Sequence, residues 1–328
     1  MQCKEWGDAN SELFKEPHDE VVHKNSYKSK LYDLISASLN TIHGKRTAVS
    51  QQSVHHPTIQ RRLSMKLRIA LLQMHVEMGN PSVNFAHAKE LMERAMEKKP
   101  DILVLPETWN TGFFPKENLS SLADEDGKET ISLLSSMAAS HGVNIVGGTT
   151  TVKVGPDIYN RSYVFDRRGN LVTSFDKIHG FSLSGEPGYF RMGNHLSHFE
   201  LDGLSCSMAI CYDIRFPEFI RREALEGVDL FFVPAAWPKI RNHHWVTLNR
   251  ARAIENQFYL AAVNQAGKSG DTEYAGESLL LDPWGEDICH LEGDEEIAFG
   301  RVDTDVIHEV RTMINVFRDR RSDWDKVK

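Results

Sequence analysis

The sequence predicts an α/β fold in which two mixed β-sheets are covered by helices. Three observations carry this expectation. Short apolar runs at 68–73, 102–105 and 230–233 read as buried strands. There are more such runs along the chain than a simple doubly wound sheet holds. Arg167-Arg168-Gly169-Asn170, set between strand-like stretches at 159–166 and 171–175, is a hairpin signal. Hairpins therefore mix with helical crossovers, which favours two mixed sheets.

The elements follow in order. The strand at 68–73 leads to Asn80-Pro81, which opens a helix with Phe85, Ala88, Leu91 and Ala95 at helical spacing. The strand at 102–105 ends at Pro106-Glu107. A helix at 130–140 is closed by Gly142, and 143–150 reads as one strand. After the hairpin, the strand 204–210 runs into a helix at 217–226, where Pro217 suits the first turn and Gly227 the residue past the last. Strands at 230–233, 259–263, 278–282 and 297–302 follow, with a helix at 245–256 and a last one at 303–313. Residues 315–328 form a charged tail.

Residues 1–64 stand apart: polar, rich in Ser, His and Lys, with one weak apolar segment at 31–42. They read as a disordered or loosely docked extension, or as an over-called translation start, before a domain at 65–328. A small helical element at 29–42 is the alternative. The acidic Glu5, Asp8, Glu12, Glu16, Asp19 and Glu20 argue against a transit peptide.

The 328 residues are 41% hydrophobic, enough for one large α/β domain or two small ones. Lys and Arg total 38 against 46 Asp and Glu, a net charge of −8. With no basic stripe to neutralise phosphates, a nucleic-acid partner is not expected. No apolar run reaches membrane-spanning length and no signal-peptide core is evident, so neither a membrane association nor export is expected. Cys3, Cys206, Cys211 and Cys289 lie far apart without ligand-like spacing. They read as reduced thiols in a cytoplasmic protein, and neither a metal site nor a cofactor is expected.

Three reactive side chains end three separate strands: Glu107, Lys177 and Cys211. Cys211 sits at a strand-to-helix turn, where nearby backbone N–H groups can serve a developing oxyanion and a cation could lower the thiol pKa. A buried structural thiol is the plainer reading. Glu107 lies between apolar neighbours, where a charge needs a partner. Lys177 alone reads as a surface lysine. Together they supply a nucleophile, a proton acceptor and a cation. His179 offers a Cys–His alternative, and Glu186 is a second carboxylate close to the lysine.

The motifs LVLPETW around Glu107, FDKIHGF around Lys177, SGEPGYF around Glu186 and MAICYDIRFPE around Cys211 resemble those of the nitrilase (carbon–nitrogen hydrolase) superfamily. VPAAWP (233–238), ARAIENQ (251–257), EYAGESLLLDPWGE (273–286) and FRDRRSDW (317–324) also match, so the resemblance spans Met65 to about 324. It implies an αββα sandwich that pairs into a homodimer. It implies Cys211 as nucleophile forming a thioester, Glu107 as general base and acid, and Lys177 with the Tyr212 backbone N–H as oxyanion stabilisers. Glu186 would position the lysine and the attacking water. Gly180 stands where the family commonly has Leu, which would loosen the lysine loop and reshape the pocket rim.

The stretches GEPGYF, CYDIRFPE, AAWP, HHW and RAIENQ look most like the omega-amidase branch. That resemblance implies hydrolysis of 2-oxoglutaramate or 2-oxosuccinamate, with ammonia released. An N-carbamoyl amide hydrolase of the same fold is the alternative. Nitrile hydrolysis, a synthetase glutaminase, a thiol-redox enzyme and a non-catalytic scaffold fit less well. Trp109, Phe113, Trp237 and Trp245 are candidate pocket or core aromatics. Arg215 either clamps a substrate carboxylate or pairs with Glu218 or another acid. His243-His244 reads as a helix start, and Asp213 and Cys206 as structural.

Overall fold

The computed structural model describes residues 64–321 and 323, apart from Phe114. The extension, save Ser64, and the end of the tail lie outside these residues. The described strands are β1 (Lys66–Gln73), β2 (Ile102–Val104), β3 (Asp124–Glu125), β4 (Asn144–Val146), β5 (Thr150–Val154), β6 (Asp157–Phe165), β7 (Leu171–Asp176), β8 (Phe199–Leu201), β9 (Leu204–Met208), β10 (Leu230–Ala235), β11 (Tyr259–Asn264), β12 (Ala266–Ser269), β13 (Thr272–Ala275), β14 (Leu279–Leu281), β15 (Asp287–His290) and β16 (Glu296–Asp303). One mixed sheet runs β16-β1-β2-β4-β6-β5-β3, with β7 paired to β6. The other runs β15-β14-β11-β10-β9-β8, and β12-β13 form a separate hairpin.

Alternation along β1 explains the layering. Leu67, Ile69 and Leu71 join a core shared with β9, β10, β11 and β14 of the second sheet. Ala70, Leu72 and Met74 point the other way, into a core with Phe85, Ala88 and Leu91 of helix α1 (Pro81–Met96) and Leu134 and Met137 of α2 (Lys128–His141). Helices α3 (Pro217–Leu225) and α4 (Asn242–Asn256) add Phe219, Ile220, Trp245 and Ala253 to the first core. In β10, parallel to both β9 and β11, every residue is buried, as expected of a strand covered on both faces. The result is the helix–sheet–sheet–helix sandwich. Helix α5 (Thr304–Met313) starts where the Asp303 side chain accepts the Asp305 N–H, and a short helix α6 (Val316–Asp319) follows it.

The predicted strand at 143–150 is two strands with a corner between them. Gly148 has φ +58°, and a Cβ there would stand 2.0 Å from the Pro106 carbonyl oxygen. The backbone turns because the Glu107 segment presses against it, a tertiary contact that no local pattern encodes.

Candidate active site

β2, β7 and β9 end at the same edge of the sandwich, and each delivers one reactive group. Glu107 follows β2 in a turn clasped by the Gly148 corner: Thr149 N–H donates to the Pro106 carbonyl at 2.9 Å, and Thr108 N–H to the Thr149 hydroxyl at 2.8 Å. The Glu107 carboxylate is fully buried. One oxygen accepts Asn160 Nδ2 and Lys177 Nζ, both at 2.8 Å, and the other accepts the Ala236 backbone N–H at 2.7 Å. A buried carboxylate requires such partners.

Lys177 follows β7, its backbone N–H bonded to the Asn160 carbonyl at 3.0 Å. Its Nζ reaches Glu186 at 2.9 and 3.0 Å as well as Glu107. Glu186 is held in turn by the Phe181 N–H at 2.7 Å. Burial alone pulls the lysine pKa down, but Glu107, Glu186 and Cys211 outweigh it and hold the ammonium above its ordinary range. Lys177 therefore lies between two carboxylates that favour its ammonium form.

Cys211 follows β9 at φ +49°, a left-handed backbone costly for a side-chain-bearing residue and often found at functional turns. Asp213 braces the turn, accepting the Ile210 N–H at 3.0 Å while its own N–H bonds the Ile210 carbonyl at 3.0 Å. The Tyr212 N–H makes no hydrogen bond to the described residues, so it is free to meet an oxyanion beside the thiol. The expected lowering of the thiol pKa is not found. Burial and the Glu107 carboxylate push it well up, against the opposing pull of Lys177. Burial and the nearby carboxylate thus favour the neutral thiol over the thiolate.

Residues 68–312 match the family model for carbon–nitrogen hydrolases. The chain belongs to this family. It is 43% identical over 259 residues to 2-oxoglutaramate amidase from Bacillus subtilis, covering 79% of this chain and 99% of that one. It is 32% identical over 272 residues to an omega-amidase from Danio rerio, covering 79% and 96%. A crystal structure of a CN-hydrolase superfamily protein from Xanthomonas campestris, with an arsenic adduct in its active site, superposes with a TM-score of 0.74 at 29% identity, covering 78% and 98%. The protein is an amidase, a hydrolase of non-peptide carbon–nitrogen bonds, and carries the nitrilase-superfamily fold.

In this hydrolase the thiol opens onto a cavity of about 210 Å³ lined by Lys177, Phe113, Tyr212, Arg215, Trp237, Arg241 and Tyr274, among others. Trp109 is corrected from pocket to core. It is fully buried against the edge of Phe85 at 4.9 Å, and its Nε1 donates to the Gly147 carbonyl at 2.8 Å. Trp245 is also core, donating to the Glu277 carbonyl at 2.8 Å. Arg215 makes no ion pair with Glu218 or any other described acid. It stacks on Trp237 at 4.6 Å and touches His244 Nδ1 at 3.3 Å. His243 and His244 occupy the first turn of α4, and no described group of three or more His, Cys, Asp or Glu is placed to hold a metal. No described helix is long and apolar enough to cross a membrane.

Gly180 also departs from expectation. A Cβ there would lie 2.9 Å from Pro187 and 3.0 Å from the Met192 sulfur, so the lysine loop is tightly packed at that point rather than loosened. Sequence reading passed over Asn160, Arg241, Thr272 and Tyr274. The signal for Asn160 was an Asn inside an otherwise β-like run, unusual unless its amide is used. Arg241, Thr272 and Tyr274 lie on the strap after VPAAWP and on the β12-β13 hairpin, and nothing local marked them as cavity-lining.

Proposed function

We propose that the protein hydrolyses small linear amides bearing a carboxylate, of the 2-oxoglutaramate and 2-oxosuccinamate type, through a thioester on Cys211. Glu107 takes the thiol proton as sulfur attacks the amide carbonyl. The oxyanion forms against Lys177 and the Tyr212 N–H. Glu107 then passes its proton to the departing nitrogen, so ammonia leaves as the thioester forms. A water deprotonated by Glu107 attacks the thioester, releasing the acid and restoring the thiol. Asn160 and Glu186 hold the base and the cation in register.

The observation that carries this reading is the meeting of Cys211 and Lys177 on one cavity, with Glu107 buried behind them and bonded to Lys177, where the cavity also presents an Arg215 guanidinium that has no acidic partner among the described residues. A carboxylate-bearing substrate supplies the partner that Arg215 lacks. Phe113 and Trp237 give the apolar walls a short methylene chain needs. The relatives named 2-oxoglutaramate amidase and omega-amidase support the same substrate class. The thiols of Cys211 and Cys289, not joined in a disulfide, fit a reducing, cytoplasmic setting, and pairing of protomers into a homodimer is expected from the family resemblance.

Ammonia release from 2-oxoglutaramate by the full chain, with Cys211→Ala alongside, tests the reading. Activity that vanishes in the variant supports both chemistry and substrate. Silence on 2-oxo amides, with ammonia and carbon dioxide from an N-carbamoyl amide instead, overturns the substrate class and keeps the nucleophile.

A further inference from the structure

The short strap Lys239–Arg241 crosses the outer wall of the cavity. Its two cations are treated differently. Lys239 is neutralised at the surface by Glu273 of β13 at 2.6 Å. Arg241 lines the cavity, has no carboxylate partner among the described residues, and lies over the Phe181 ring at 5.2 Å. A guanidinium stacked by its face keeps its N–H edge for an acceptor. Phe181 belongs to the loop that holds Glu186 and hence Lys177, so Arg241 has a fixed relation to the reacting end.

We infer that Arg241 is a second carboxylate-recognising residue, which with Arg215 forms a cationic end to the cavity and selects amides carrying one terminal carboxylate. This rests on the hydrolase reading above. Two guanidiniums facing one cavity repel each other. Burial first, and the charge of Arg241 further, hold Arg215 below its ordinary range. An anion between them relieves both costs. The formal charges agree: Lys177 with Glu107 and Glu186 leaves one negative charge at the reacting end, and the two arginines add two positive charges at the other. A monoanionic substrate makes the filled site neutral. A cavity of about 210 Å³ has room for a short chain between the thiol and the arginines.

The test compares glutaramate with pentanamide, which differ only in the terminal carboxylate, in the full-length enzyme, Arg241→Gln and Arg241→Lys. The expected result is a fall of about tenfold or more in the glutaramate-to-pentanamide ratio of kcat/KM for Arg241→Gln, the size of one lost charge-assisted hydrogen bond. Arg241→Lys is expected to recover part of that ratio. A binding arm uses 4-oxopentanoate, which has the carboxylate and a carbonyl but no scissile amide. Its protection of Cys211 against iodoacetamide is expected to weaken by a similar factor in Arg241→Gln. An unchanged ratio with unchanged protection overturns the assignment, as does equal loss on both amides, which would make Arg241 a folding residue. If the wild-type chain hydrolyses no amide, the hydrolase reading fails by itself, and protection by 4-oxopentanoate still decides the role of Arg241.

Discussion

Asp213 joins the loop after Lys177 to the turn that carries Cys211. One carboxylate oxygen receives the His179 backbone N–H at 2.7 Å and its ring Nδ1 at 2.8 Å, and the other receives the Ile210 N–H at 3.0 Å. The His179 ring also stacks on Phe216, centroids 3.7 Å apart. His179 thereby helps to hold the two loops together.

Asp213→Ala should therefore act on the site and on stability together. It leaves buried N–H groups unmatched on two loops, at ~1–3 kcal/mol per group. A lower urea midpoint with reduced kcat is expected, measured by denaturation and ammonia release. Wild-type stability and turnover in this variant would contradict the brace.

Glu107→Gln keeps the shape and removes the proposed base. Loss of a general base reduces kcat by ~10²–10⁴-fold. The thiol should respond in the opposite sense. Burial is the first cause of its raised pKa and Glu107 the second, so removing that negative charge lowers the pKa while Lys177 continues to favour thiolate. The pH profile of Cys211 alkylation should move to lower pH as turnover disappears. A shift to higher pH would show that Glu107 is not the neighbouring anion.

Lys177→Met removes the cation between Glu107 and Glu186. Breaking a buried pair in this way costs ~3–5 kcal/mol, because a charge is left unpartnered. Calorimetry should show a much lower Tm, and adding Glu186→Gln should restore part of it. In the wild type the raised Lys177 pKa implies stability that is complete below the ordinary lysine range and is lost only as strongly alkaline pH approaches the folded value. A variant that melts like the wild type would refute the pairing.

Gly148→Ala tests the corner behind Glu107. The added methyl meets the Pro106 carbonyl at 2.0 Å on a backbone at φ +58°. The left-handed conformation alone costs ~1–2 kcal/mol, and the clash displaces the turn that carries Glu107. Reduced thermal stability with a kcat loss larger than any KM change is expected. Normal kinetics would show that the corner does not set the position of Glu107.

Most of the long helices and central strands were legible along the chain, since buried runs, helical spacing, Pro217, Gly227 and the hairpin at 167–170 are local signals of backbone geometry, while the short strands at 199–201, 266–275 and 287–290 were not. The sequence also placed Glu107, Lys177 and Cys211 at strand ends, and the motifs around them identified the family. Only the tertiary structure decided what those groups face. Trp109 and Trp237 both sit in motif stretches with apolar neighbours, yet one is sealed under Phe85 and the other lines the cavity with Arg215. The Cys211 thiol is raised rather than lowered because its pKa sums burial and charges contributed by Glu107 and Lys177, both distant in sequence. Gly148 bends because a carbonyl from another segment arrives there, and Arg241 borders the cavity because the strap after β10 closes over it. Backbone preference is set by neighbours along the chain, whereas desolvation, pairing and steric contact are set by neighbours in space.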